Sequence, residues 1–210
     1  MCAGTVNYAV APSLRSYLDV MTYVRRDESP GLHHITCRGN NKRSIFEDDS
    51  DRRLFLLQLA RVARRYGWKI HAYCLMRNHY HLVLEISEQG MSRGFCELHT
   101  GYAVSYNRRY GRVNHLFGKR YWNGWLPDQT SFINACRYVL QNPVRAGLVD
   151  EPEKWRWSSY RATIGLALAS VPLSTSELLS AFGRRPALAV RRFREYLACD
   201  RPTRHRWQPP

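Results

Sequence analysis

Apolar positions along the chain repeat with two different periods, one typical of strands and one typical of helices. Runs rich in apolar and aromatic residues, bounded by turn-forming or polar residues, predict strands at residues 32–38, 69–75 and 79–85. Apolar side chains that recur every three or four residues predict helices at residues 49–66, 92–110 and 130–141. Short extended pieces at residues 115–126 add a further strand.

The order strand, helix, strand, strand, helix, strand, helix predicts an α+β fold with a ferredoxin-like or RRM-like antiparallel sheet and helices on one face. We expect this domain to span residues 31–165, between an N-terminal extension (residues 1–30) and a basic helical tail (residues 166–210). Ser174-Thr175-Ser176-Glu177 predicts a capping box in the tail, followed by a basic amphipathic helix at residues 186–198. Since the sheet is complete before residue 165, the domain is expected to fold without the tail.

The net charge of the chain indicates the kind of partner that it binds. The 210 residues hold 32 Lys and Arg against 17 Asp and Glu, which gives a net charge of +15. Like charges repel in a compact chain, so this excess favours a polyanionic partner, for which nucleic acid is the usual candidate. A basic protein without such a partner is the alternative.

The location of the protein is predicted from what the chain lacks. Its apolar runs are shorter than the roughly 18 residues that span a bilayer, and the N-terminus lacks the apolar centre of a signal peptide. The six cysteines are scattered without a CxxC pair and are expected to be reduced. We therefore expect a cytoplasmic protein that does not associate with membranes.

His79 and His81 are the first candidates for chemistry. Side chains alternate along a strand, so both imidazoles point to one face while Tyr80 points to the other. Two adjacent imidazoles can bind one divalent ion and leave positions for a third ligand and a substrate. Two histidines without a metal remain the alternative, since a His-x-His strand alone is a weak signal.

Tyr138 and Asn142 lie four residues apart and therefore share a face of the third helix. If that face meets the histidine strand, Asn142 can complete a metal site and Tyr138 can attack a phosphate, keeping the bond energy in a phosphotyrosine. From the spacing alone, a core tyrosine followed by an asparagine that caps the helix before Pro143 is the favoured interpretation.

Four segments of the sequence resemble segments of a known family. The segment from Cys74 to Val83, CLMRNHYHLV, resembles the HUH strand of the REP-associated tyrosine transposases, a branch of the single-tyrosine insertion-sequence transposases. Arg38-Gly39-Asn40 resembles that family's first turn, and CRYVLQNPVRAGLV, from Cys136 to Val149, resembles its tyrosine helix. The WRWSSY segment at residues 155–160 resembles the block that closes the domain. Arg77 departs from the pattern, because a proline commonly occupies that position.

The resemblance implies an HUH endonuclease fold and a DNA transposase that cleaves and rejoins single-stranded DNA beside a hairpin. It assigns Tyr138 as the nucleophile that forms a 5′-phosphotyrosine. It assigns His79, His81 and Asn142 as ligands of Mg²⁺ or Mn²⁺. The partner would be single-stranded or hairpin DNA, and the enzyme would be a monomer or a homodimer.

Basic residues near the predicted turns are the candidates for DNA binding, as a group more than singly: Arg38, Lys42, Arg43, Arg77, Lys119 and Arg120. The other tyrosines considered as nucleophiles lack a ligand-capable partner four residues on: Tyr102, Tyr106, Tyr110 and Tyr121. Three histidines and one cysteine are interpreted as packing or surface residues: His33, His34, His71 and Cys74.

Three other functions compete with a transposase. A non-catalytic nucleic-acid-binding protein derived from a transposase would keep the fold and the charge, but the set of four site residues is intact. A replication or conjugation initiator would commonly carry helicase or primase segments, for which 210 residues leave no room. A zinc-stabilised structural protein would need cysteine ligands in a suitable pattern.

Overall fold

The computed structural model describes residues 29–87 and 90–199. Its sheet has four strands: β1 (Gly31–Arg38), β2 (Lys69–Leu75), β3 (His79–Ile86) and β4 (Trp122–Trp125). The strand order is β2-β3-β1-β4, and each strand is antiparallel to its neighbours. The predicted order of elements and the antiparallel α+β class are confirmed.

Two long helices connect the strands: α1 (Asp49–Tyr66) lies between β1 and β2, and α2 (Met91–Tyr110) lies between β3 and β4. A third long helix, α3 (Gln129–Arg145), follows β4. Three further helices follow: α4 (Tyr160–Thr163), α5 (Ser176–Ser180) and α6 (Pro186–Ala198). Helix α1 begins at a capping box formed by Asp48 and Asp51, and it ends at Gly67 in the left-handed conformation. None of the described helices is long and apolar enough to cross a membrane.

The alternation of side chains along β3 divides the core into two halves. Tyr80, Leu82 and Leu84 pack with α1 and α2 on one face of the sheet. Val83 packs with Tyr138 and its neighbours on the opposite face. Helices α1 and α2 therefore cover one face as expected, whereas α3 crosses the other face and brings its residues to the side of His81.

Helix α3 extends beyond the predicted end at Gln141, through Asn142 and Pro143, to Arg145. A proline lacks an N–H and removes one bond of the helix, here the bond to the carbonyl of residue 139. The helical pattern resumes at once, because the N–H of Ala146 donates to the carbonyl oxygen of Asn142 at 2.9 Å. Asn142 is therefore held inside the helix and keeps its four-residue relation to Tyr138.

The C-terminal helices pack against the domain. Leu178 of α5 and Phe193 of α6 are fully buried in the same cluster as Tyr138 and Val139 of α3. The helix predicted at residues 186–198 is confirmed.

The capping box predicted at residues 174–177 is wrong. Helix α5 is preceded by Thr175, whose side chain makes no capping hydrogen bond. The domain boundaries stay predictions, and residues 1–28 of the N-terminal extension lie outside the described part.

The outer edge of β2 is hydrogen-bonded by two later segments of the chain. The N–H of Leu75 donates to the carbonyl of Trp157 at 2.8 Å, and the N–H of Tyr73 donates to the Ser159 hydroxyl at 3.0 Å. Further along, the N–H of Ser174 donates to the carbonyl of Ile70 at 2.7 Å. Chain segments outside the sheet thus cover this edge.

Candidate active site

The two histidines of β3 lie side by side on the face covered by α3. The rings of His79 and His81 are 5.0 Å apart between centroids and perpendicular to each other. Tyr80 points into the opposite core, where its hydroxyl lies 2.6 Å from Nε2 of His99. The predicted alternation of these three side chains is confirmed.

Helix α3 brings Tyr138 and Asn142 to these histidines. Nδ2 of Asn142 lies 3.2 Å from Nε2 of His81, and the side chain of Asn142 also hydrogen-bonds to His79. The ring of Tyr138 lies 5.5 Å from that of His81, nearly perpendicular to it. The tyrosine face of the helix and the histidine face of the strand therefore meet, which the sequence could state only as a condition.

His34, which was predicted to be a packing or surface residue, belongs to this cluster. Its Nε2 lies 3.1 Å from Nδ1 of His81, and its ring lies 5.6 Å from that of Tyr138. His34 pairs with Val83 across the sheet, two residues from the pair formed by Thr36 and His81, so it faces the same side. The sequence did contain a signal for this position. His34 is next to Ile35 in the strand, so its side chain points to the face opposite that of this core residue.

The hydrogen bonds define which nitrogen of His81 carries a proton. An amide N–H donates, so the bond from Asn142 leaves a lone pair on Nε2 of His81. The proton of a neutral His81 then lies on Nδ1 and is donated to Nε2 of His34. Burial lowers the pKa of His34 to about 3 and that of His79 to about 4, and it holds the pKa of His81 well below its usual value. The imidazoles are therefore neutral at pH 7.

Tyr138 is fully buried, and opposing influences act on its hydroxyl. Burial raises its pKa, because a phenolate loses its hydration inside the protein. The Arg145 guanidinium, 5.4 Å from the centre of the ring, and a hydrogen bond with Asn142 favour the phenolate and lower the pKa. Two residues of the same helix thus offset part of the cost of ionising Tyr138.

Three loops meet at the end of the sheet where His79 lies. The N–H of Gly39 donates to the carbonyl of Asn78, and that of Gly118 donates to the carbonyl of Arg38. A Cβ on Gly39 would overlap the carbonyl oxygen of Arg43, so this turn requires glycine. Five of the six predicted DNA-binding residues are exposed on these loops: Lys42, Arg43, Arg77, Lys119 and Arg120.

Arg38 is the sixth residue of that group and is only partly exposed. It pairs with His79 across β1 and β3, and its positive charge helps to lower the pKa of His79. The Arg38 guanidinium would therefore attract any anion that approaches His79.

The competing tyrosines lie elsewhere. The hydroxyl of Tyr102 donates to the carbonyl of Ile45, and that of Tyr106 donates to Glu47, both on the α1–α2 side. Tyr110 donates to Asp51, and Tyr121 stacks against Phe95 in the same core. Of the tyrosines considered, Tyr138 is the one that the fold places beside His81.

Comparison with known proteins identifies relatives of this chain. Residues 31–142, more than half of the chain, match the family model described as transposase IS200 like. A Haemophilus influenzae protein named as a REP-associated tyrosine transposase is 22% identical over 114 residues, which are 49% of this chain. The match covers 65% of that relative's length, slightly less than two thirds.

A solved structure of a REP-associated tyrosine transposase bound to a REP hairpin has the same fold. It superposes with a TM-score of 0.57 at 20% identity, covering 78% of this chain and 96% of the other. The extent of the family match, together with the order of strands and helices, leads to one assignment. This chain belongs to the IS200-like family of transposases.

Proposed function

We propose that this protein is a metal-dependent DNA transposase that cleaves and rejoins single-stranded DNA beside a hairpin. The observation that carries the proposal is the meeting of His79, His81, Asn142 and Tyr138 at one place between β3 and α3. A nucleophile beside neutral imidazoles suits transesterification at a phosphodiester better than simple binding.

The residues present fit a divalent ion. Nε2 of His81 carries a lone pair, both β3 histidines are neutral at pH 7, and a carboxamide contacts both of them. His79, His81 and the amide oxygen of Asn142, turned toward the ion in place of the amide nitrogen that now faces His81, would hold the Mg²⁺ or Mn²⁺ that the resemblance implies. Water would complete the oxygen ligands that these ions prefer. The bound ion would act as a Lewis acid that polarises the phosphate oxygens.

Tyr138 supplies the new bond. Its hydroxyl loses a proton, and the oxygen bonds to the phosphorus while the bond to the 3′-oxygen breaks. The leaving oxygen takes up a proton and becomes a free 3′-hydroxyl, so the products are a 5′-phosphotyrosine and a shortened strand. Arg145 lowers the pKa of Tyr138 and stabilises the negative charge at this position.

The basic loops are proposed to hold the DNA. Lys42, Arg43, Arg77, Lys119 and Arg120 are exposed at the His79 end of the sheet, and the net charge of +15 favours a polyanion. The related structure described above holds a REP hairpin, which makes hairpin-bearing single strands the first substrates to test.

The deciding experiment is a covalent adduct assay with labelled, hairpin-bearing single strands and Mn²⁺, resolved on a denaturing gel. Wild-type protein should give a protein-linked product, and Tyr138→Phe should give none, because only the attacking oxygen is lost. Tyr121→Phe serves as the control, since this tyrosine lies in the opposite core, and it should keep the adduct.

Two results would count against the proposal. An adduct that survives Tyr138→Phe would assign the nucleophile to another residue. Tight DNA binding by the wild type without any adduct would favour the alternative function, a non-catalytic nucleic-acid-binding protein derived from a transposase.

A further inference from the structure

A second cluster of ligand-type side chains lies at the other end of β3, on the same face as His81. It consists of His71 on β2, Glu85 on β3 and Glu177 on α5. Nε2 of His71 lies 3.4 Å from a carboxylate oxygen of Glu177 and 3.7 Å from one of Glu85. Two ligands of a tetrahedral ion at ordinary bond lengths are about 3.4 Å apart. The two distances from Nε2 of His71 are thus close to the spacing of ligands around one ion, and the three ligand atoms all lie within 4.8 Å of one another.

A β-bulge directs His71 toward this cluster. Ile70 pairs with Leu84 and Ala72 pairs with Val83, so His71 is the extra residue of β2. Without the bulge, His71 and Ala72 would point to opposite faces; with it, both lie on the α3 side. The ring of His71 packs edge-on against Phe132 of α3, with 5.0 Å between centroids.

The hydrogen bond of His71 leaves its second nitrogen facing two carboxylates. Nδ1 lies 3.0 Å from the carbonyl oxygen of Ser174, which can only accept, so Nδ1 carries the proton. His71 is fully buried, and its Nε2 has no hydrogen-bond partner. In a neutral imidazole, Nε2 carries a lone pair. A lone pair that faces two carboxylates is unfavourable unless a cation lies between them.

A proton is a poor candidate for that cation. Burial lowers the pKa of His71 by more than the carboxylates of Glu177 and Glu85 raise it, so the imidazole is neutral at pH 7. Glu85 and Glu177 are about one third and one half exposed, so an ion has a path from solvent. Lys69 contacts the carboxylate of Glu85 at 2.9 Å and that of Glu177 at 3.8 Å, and it is therefore the cation beside both in this structure. It is half exposed and can move aside for an ion.

We propose that His71, Glu85 and Glu177 form a second, structural site for a divalent transition-metal ion such as Zn²⁺. Imidazole and carboxylate together are ligands for this class of ion, and three protein ligands leave one position for water. The ion would join two neighbouring strands to α5. It would thereby fasten the C-terminal region to the sheet, in addition to the bonds at Ile70 and His71.

The test is calorimetric titration of the full-length protein with Zn²⁺ alone, comparing Glu177→Ala with the wild type. Glu177 is exposed enough for this change to leave the fold intact, whereas a change at the buried His71 risks the fold. The matched control is Glu195→Ala, an exposed residue of α6 that pairs with Arg191. The His79–His81 site is present in every protein and cancels in the comparison.

We expect the wild type and Glu195→Ala to bind one more Zn²⁺ per chain than Glu177→Ala. Lys69→Gln should bind that additional ion several-fold more tightly, because it removes a competing cation. Equal stoichiometry and affinity in the wild type and Glu177→Ala would overturn the site and leave an ion-pair cluster. Neither outcome bears on Tyr138, so failure here is distinct from failure of the proposed function.

Discussion

At the scale of single residues, the orientation of His81 depends on two neighbours. Asn142 donates to Nε2 of His81, and His34 accepts from Nδ1. In a metal-binding histidine, the ring nitrogen that does not bind the metal is commonly hydrogen-bonded to a neighbouring group, which fixes the tautomer. Loss of that group commonly weakens metal affinity. We therefore interpret His34 as a positioning residue that keeps the lone pair of His81 directed toward Asn142.

A pair of substitutions at His34 tests this role. His34→Leu should raise the Mn²⁺ concentration needed for half-maximal adduct formation by roughly 10–100-fold, because Nδ1 of His81 loses its acceptor. His34→Gln keeps an acceptor oxygen and should recover much of that loss. The measurement is adduct yield against Mn²⁺ concentration. If both variants behave alike, His34 fills space and does not orient His81.

At the scale of elements, the sequence predicted more of the strands and helices than of their arrangement. Alternation along residues 79–85 gave the face of His79 and His81, because the period of a strand is local. The path of α3 across that face depends on contacts between distant parts of the chain. His34 was overlooked for the same reason, since its relation to His81 exists only once β1 and β3 pair. The bulge at His71 could not be predicted either, because it is defined by the pairing of β2 with β3 and not by the sequence of β2 alone.

The packing of α6 against the domain leads to a stability prediction. Phe193 is fully buried, so Phe193→Ala should lower the free energy of unfolding by about 3–5 kcal/mol through lost burial and a cavity. Leu168→Ala is the control, because Leu168 is 96% exposed and should change stability by less than about 0.5 kcal/mol. Urea denaturation measures both. A small effect at Phe193 would support the prediction that the domain folds without its tail.

At the scale of the whole molecule, the charge of +15 predicts binding that weakens steeply with salt. The logarithm of the affinity for single strands should fall with the logarithm of salt concentration, by about 0.7 per neutralised phosphate. Fluorescence anisotropy with a labelled strand gives this slope. Lys42→Gln combined with Arg43→Gln should flatten it, whereas Arg61→Gln combined with Arg64→Gln, exposed on α1, should not. Equal slopes in the two double variants would show that Lys42 and Arg43 do not contribute to DNA binding.

The covered edge of β2 has a consequence for self-association. An open edge strand offers its backbone groups to the strands of other molecules, which leads to extended sheets and aggregation. Here the outward groups of Ile70, Tyr73 and Leu75 already bond to Ser174, Ser159 and Trp157 of the same chain. A second copy therefore finds this edge occupied and would have to displace these bonds to extend the sheet. Within the described residues, the surfaces left for a homodimer are the helices, the loops and β4.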